Sequence, residues 1–155
     1  MSKVDKYVAL ISRIQSVLSG ETDEIARMSN MAALLHFEFG FWWTGFYRVV
    51  STDELVLGPF QGPVACTRIK KGRGVCGTSW SEERTLLVPD VEQFPGHIAC
   101  SSESRSEIVV PCRKSGQIVA VLDIDSKELA TFDEVDKEYL EQIVSMLYGE
   151  ECHME

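Results

Sequence analysis

Cys66, Cys76 and Cys100 stand ten and then 24 residues apart, in the segments VACTRIKKGRGVCGTSW and FPGHIACSSESRSEIVVP. Thiols spaced this widely, set among glycine and serine, suit redox chemistry better than a metal knuckle or a disulfide scaffold, because zinc sites usually contain a tight cysteine pair. His97 and Cys100 make an H-x-x-C pair, but no C-x-x-C accompanies them, so no metal is expected. The run KKGRGVCG has the spacing of neither a phosphate loop nor a dinucleotide fingerprint. Cys100, beside Ser101 and Ser102 in a long loop, has the strongest claim to reactivity. Cys76 opens a helix, where the dipole can activate it or where it simply packs. Cys66 reads either as an inward strand residue or as a partner thiol for Cys100, and spacing alone does not choose. Cys112, in the apolar strand IVVPC, reads as a small buried hydrophobe. Cys152, in the tail ECHME, reads as exposed.

Acids and aromatics form the second set. Side chains alternate along a strand, so Val119, Val121, Asp123 and Asp125 share one face, with the two carboxylates about 6–7 Å apart at the backbone. Glu107 begins the neighbouring strand and can approach the same place. Asp125 alone reads as a solvated strand end, whereas Asp123 continues a valine row into the core. Three converging acids suit a cation, an ammonium group or a proton donor, since burial and mutual repulsion raise at least one pKa. Trp43, Gly45 and Tyr47 also share a face. The plain reading is core packing. The glycine, however, suggests open space between two rings, a slot whose aromatic faces attract positive charge on sulfur or nitrogen.

These residues need a frame to hold them. The chain has 155 residues, 45% of them hydrophobic and 25% charged, as in an ordinary globular domain. A net charge of −9 argues against nucleic acid or an anionic membrane as partner. The amphipathic N-terminus lacks the apolar block of a secretory signal. The expected location is therefore the cytoplasm, with thiols reduced at rest. Val4, Tyr7, Val8, Ile11, Ile14 and Leu18 predict a first helix stopped by Gly20, and its face is a candidate for pairing two subunits into a homodimer. A second helix begins near Thr22, carries Ile25, Met28, Ala32 and Leu35, and ends by Gly40. Strands are expected over 41–50 and 54–60, followed by a short apolar run through Cys66. A short helix near 75–83 and a strand over 85–88 come next. No element is expected over 89–106, a gap long enough to be a working loop. Strands over 107–112 and 117–125 form a hairpin, and Thr131 with Glu134 is expected to cap the last helix. The parts are N-terminal helices (1–38), sheet and active-site loops (41–125) and a C-terminal helix (131–149). Together they predict one α+β domain spanning 1–155, an antiparallel sheet covered by terminal helices.

Taken together, WWTGFYRV, GPFQGPVACTRIKKGRGVCGTSW, DVEQFPGHIACSSESRSEIVVP, AVLDIDS and FDEVDKEYLEQI resemble the free methionine-(R)-sulfoxide reductases, a family built on the GAF domain. The resemblance covers nearly the whole chain, and GRGVCG, GHIAC, SEIV and LDIDS make it specific. It implies reduction of free methionine sulfoxide to methionine, with no bound cofactor and thioredoxin as reductant. By the resemblance, Cys100 matches the nucleophile, Cys66 the principal resolving thiol and Cys76 an auxiliary recycling thiol. Glu107, Asp123 and Asp125 match the acids of the substrate pocket, and Trp43 and Tyr47 its aromatic wall. Glu107, or one of the aspartates, is expected to protonate the sulfoxide oxygen as general acid. A ligand-binding GAF sensor without catalysis and a thiol redox switch are the alternative functions.

Overall fold

A computed structural model of the chain describes residues 1–97 and 103–148. Helix α1 (Lys3–Leu18) starts from Ser2, whose hydroxyl accepts from the Asp5 amide while the Asp5 carboxylate accepts from the Ser2 amide, a reciprocal cap. Helix α2 (Glu24–Phe39) is capped by Asp23 and stopped by Gly40, whose φ of 70° suits glycine. Six strands follow: β1 (Trp43–Val49), β2 (Glu54–Gln61), β3 (Arg68–Lys70), β4 (Leu86–Val88), β5 (Ser106–Lys114) and β6 (Gln117–Ser126). Helix α3 (Gly74–Glu82) lies between β3 and β4, and helix α4 (Glu134–Ser145) closes the described chain. The sheet order is β3-β2-β1-β6-β5-β4, with every paired strand antiparallel. Among the described residues no helix is long and apolar enough to cross a membrane.

Strand alternation divides the interior in two. On one face Phe46, Ile108, Val110, Cys112, Ala120, Leu122 and Ile124 pack with Tyr7, Leu10 and Ile14 of α1, Met28, Met31 and Leu35 of α2, and Leu140 and Ile143 of α4. On the other, Trp43, Tyr47, Leu55, Val109 and Val121 pack with Val75, Cys76 and Trp80 of α3. The architecture is the expected α+β domain, with helices on both faces of the antiparallel sheet.

Several expectations change in detail. The stripe of α1 that packs is Tyr7, Leu10, Ile14 and Leu18, while Val4 and Val8 face outward. In α2, Ile25 is exposed and Met31 takes its place in the core. The segment through Cys66 forms no strand. The third strand comes later, as three residues in which only Ile69 is buried, between charged neighbours. Among its described residues the stretch after Pro89 holds one 3₁₀ turn, Val91–Gln93. The last helix is capped by Asp133 and Asp136, not by Thr131 and Glu134. The Thr131 hydroxyl is engaged elsewhere, donating to Ser126 Oγ at 2.6 Å.

Two buried polar groups lock the helices together. Asp136 Oδ1 accepts from the Tyr7 hydroxyl at 2.6 Å and Oδ2 from Lys3 Nζ at 2.7 Å, joining α4 to α1. Arg27 donates to the carbonyls of Leu18, Glu21, Met146 and Leu147, satisfying acceptors that helix ends leave unpaired. Replacing Arg27 by Met keeps the aliphatic stem and strips the donors from four carbonyls. Such a variant should lose roughly 2–3 kcal/mol of stability, read as a lower urea midpoint at unchanged slope. An unmoved midpoint would contradict the assigned role.

Candidate active site

The register of three strands builds the site. Trp43 lies opposite Asp125 and Gly45 opposite Asp123 across β1 and β6. Across β5 and β6, Glu107 lies opposite Asp125 and Val109 opposite Asp123. All three acids and both aromatics therefore stand on the face that α3 covers. Helix α3 brings Cys76 down onto them, and Gly77 makes this possible, because a Cβ there would collide with the Lys70 carbonyl. The result is a cavity of about 50 Å³ lined by Trp43, Tyr47, Cys76, Glu107, Asp123 and Asp125, with Arg73, His97 and Ser104 also on its wall. Val64, 87% exposed, marks its mouth. That space holds a few waters, so an amino acid enters only as the lining moves apart.

The aromatic pair does not form the expected open slot. The ring planes of Trp43 and Tyr47 lie 20° apart with centroids at 5.9 Å, and Phe60 stacks on Trp43 at 5.1 Å. The space above Gly45 is filled, since a Cβ there would stand 2.7 Å from a Trp43 ring carbon and overlap Phe60. Gly45 thus admits a ring, not a ligand. The two polar tips turn toward the chain leading to Cys66. Trp43 Nε1 donates to the Pro63 carbonyl at 3.0 Å, and the Tyr47 hydroxyl donates to the Cys66 carbonyl at 2.9 Å. Two pocket walls therefore hold the segment that carries a sequence-predicted thiol.

Electrostatically the site is a proton store. Burial, then the charges of Asp123 and Asp125, hold the Glu107 carboxyl well above its ordinary range. Burial followed by Asp123 does the same for Asp125. Asp123 is also raised by burial, but hydrogen bonds from Glu107 and Cys76 and the nearby charge of His97 work in the other direction. Those contacts favour the charged form at Asp123 and leave Glu107 and Asp125 as the better proton holders. The Cys76 thiol is pushed far up, by burial first and then by the three acids, so it rests as S–H. Asp123 Oδ1 is buried without a hydrogen-bond partner.

Cys66 is disulfide-bonded, whereas Cys76 and Cys112 are free. Cys112 lies in the helix-side core, apart from the acids. Cys100 and Cys152 lie outside the described residues. Sequence reasoning did not single out Arg73, His97 or Ser104 for the pocket wall. Arg73 was hinted at only by the basic run beside Cys76.

A family model described as the GAF domain matches residues 13–148. The chain is 58% identical over 146 residues to GAF domain-containing protein A of Dictyostelium discoideum, covering 94% of this chain and 92% of that protein. It is 43% identical over 148 residues to the free methionine-R-sulfoxide reductase of Escherichia coli (strain K12), covering 95% of this chain and 89% of that one. The X-ray structure of free methionine-R-sulfoxide reductase from Neisseria meningitidis in complex with its substrate superposes with a TM-score of 0.93 at 51% identity. The match covers 96% of this chain and 89% of that chain.

Two consequences of this geometry can be measured. Tyr47→Phe removes the donor to the Cys66 carbonyl and should cost about 1 kcal/mol. In the reduced protein it should also speed alkylation of Cys66 as its segment loosens; unchanged labelling would count against the restraint. The acids give a pH signature of definite sign. Their folded pKa values lie above the unfolded ones, so the stability they contribute is present at low pH. It is lost as pH rises through the folded values. Glu107→Gln should therefore weaken the fall in stability between about pH 5 and about pH 8, leaving the variant the more stable protein at the higher pH. Urea unfolding at both values tests this, and a steeper fall in the variant would reverse the assignment.

Proposed function

The chain belongs to the GAF-domain family and, within it, to the free methionine-R-sulfoxide reductases, and from that premise we propose that it reduces free L-methionine (R)-sulfoxide through a cysteine sulfenic acid and an intramolecular disulfide. The observation that carries this reading is the convergence of buried Glu107 and Asp123 with half-buried Asp125 in one small cavity walled by two stacked rings. Sulfoxide sulfur becomes a good electrophile only when its oxygen is protonated or strongly hydrogen-bonded. Glu107, whose hold on its proton is strengthened by burial and then by its neighbours, is the general acid, with Asp125 able to share the role.

In the first step the Cys100 thiolate attacks the substrate sulfur while the carboxyl proton goes to the sulfoxide oxygen. The oxygen passes to Cys100 as a sulfenic acid, and methionine leaves reduced by two electrons. The Cys66 thiol then attacks Cys100, forming the disulfide and releasing water. A dithiol, thioredoxin in the cell, restores both thiols by exchange and leaves oxidised. The disulfide-bonded state of Cys66 supports its resolving role. Cys76, buried and protonated, is the reserve thiol of this scheme.

Selection of a free amino acid follows from charge. Asp123, its Oδ1 unpartnered, receives the substrate ammonium. Arg73, at the start of α3 on the pocket wall, receives the carboxylate. A peptide-linked residue carries neither charge at those atoms. The faces of Trp43 and Tyr47 accommodate the methyl group and the positive charge growing on sulfur. The setting proposed is the cytoplasm, with two copies pairing through the outward face of α1, where Val4 and Val8 are exposed.

Cys100→Ser should abolish methionine formation from free methionine sulfoxide with thioredoxin. Cys66→Ser should release about one methionine per enzyme in a single turnover and then recycle poorly. Amino-acid analysis of separate R and S sulfoxide incubations measures both. Full activity in the Cys100 variant would sink the mechanism, and unimpaired cycling in the Cys66 variant would transfer resolution to Cys76.

A further inference from the structure

Three groups of the pocket form a ligand set whose grouping the reduction of a sulfoxide does not by itself explain. Cys76 Sγ, a Glu107 oxygen and an Asp123 oxygen all lie within 4.8 Å of one another, each from a buried side chain. They come from α3, β5 and β6, so no sequence spacing links them. The Asp123 side chain is 6% exposed, and its Oδ1 is buried with no hydrogen-bond partner. The pocket therefore presents an acceptor that something positively charged would satisfy. His97 shares the pocket wall, close enough for its charge to act on Asp123.

We infer that Cys76, Glu107 and Asp123 form a binding site for a zinc ion, which excludes substrate while it is bound. The donor set selects the metal. One thiolate with two carboxylates suits zinc, whereas calcium and magnesium demand oxygen ligands throughout. Ligand atoms about 2.0–2.3 Å from a tetrahedral zinc stand roughly 3.3–3.8 Å from one another. Modest side-chain rotations close the observed set to that size. The fourth position falls to the His97 imidazole or to water. On binding, the ion replaces the thiol proton of Cys76 and the proton shared among the acids, which leave to solvent, and nothing is oxidised or reduced.

The exclusion has a simple electrostatic cause. Asp123 is the carboxylate that meets the substrate ammonium in the proposed reaction, and Glu107 is the proton donor. An ion held by both neutralises the first and deprotonates the second. This consequence for catalysis rests on the proposed function; the binding itself does not.

The test titrates cobalt(II), a spectroscopic stand-in for zinc, into the full chain with its Cys66 disulfide intact. The background is Cys152→Ser, so that no tail thiol contributes. A sulfur-to-cobalt charge-transfer band should appear, and zinc should displace it. Cys76→Ser should abolish the band. Asp123→Asn, which keeps the thiol, should weaken binding by at least about tenfold, the loss that even an outer-shell change brings. Circular dichroism checks that both variants are folded. Free methionine sulfoxide should bleach the wild-type band in proportion to its concentration. No band, a band that survives Cys76→Ser, or a band that saturating sulfoxide leaves untouched would each overturn the inference. Turnover assayed in chelator-treated buffer judges the proposed function separately, since the titration is read without catalysis.

Discussion

Three carboxyl groups that share one desolvated sheet face cannot all be ionised, and the rest of this molecule is arranged around that constraint. Each additional charge in the cluster repels the others in a medium too poor in water to screen them. Burial holds all three carboxyls above their ordinary range, while hydrogen bonds from Glu107 and Cys76 favour the anion at Asp123. A buried proton that is ready to leave is what sulfoxide reduction needs. An anion beside it is what an ammonium group needs. Both requirements come from the same desolvation, divided unequally among three neighbours.

Such a cluster destabilises the sheet that bears it, so stability has to come from the other face. There the helices supply a continuous apolar layer against β1, β5 and β6. Polar ties pin this layer, Asp136 joining α4 to α1 and Arg27 spanning four carbonyls at chain ends. Because strand side chains alternate, Leu122 and Ile124 anchor the same strand that offers Asp123 and Asp125 to the pocket. The sheet is therefore a partition, with each strand contributing to both sides.

That alternation is also why much of the site was legible beforehand. Valine and aspartate at every second position of β6 can lie on only one face, and the same holds for Trp43 and Tyr47 in β1. What lay beyond reach was everything that depends on register or on contact between distant elements. No local signal places Glu107 opposite Asp125 rather than one pair away, and none seats Cys76 against Asp123. Gly45 misled for a related reason. A missing side chain looks like room for a ligand until the packing shows Trp43 and Phe60 filling it. Thr131 resembled a helix cap, but its hydroxyl found Ser126 and Glu128 first, and Asp133 took the helix.

The aromatic wall adds a connection that composition alone would not suggest. A tryptophan and a tyrosine each carry an apolar face and a polar tip, and here the faces line the cavity while the tips hold Pro63 and Cys66. Entry of a ligand into so small a space presses on those rings, and any ring displacement is passed directly to the segment that carries the thiol. The link runs through two hydrogen bonds of about 3 Å, short enough that ring and segment move together.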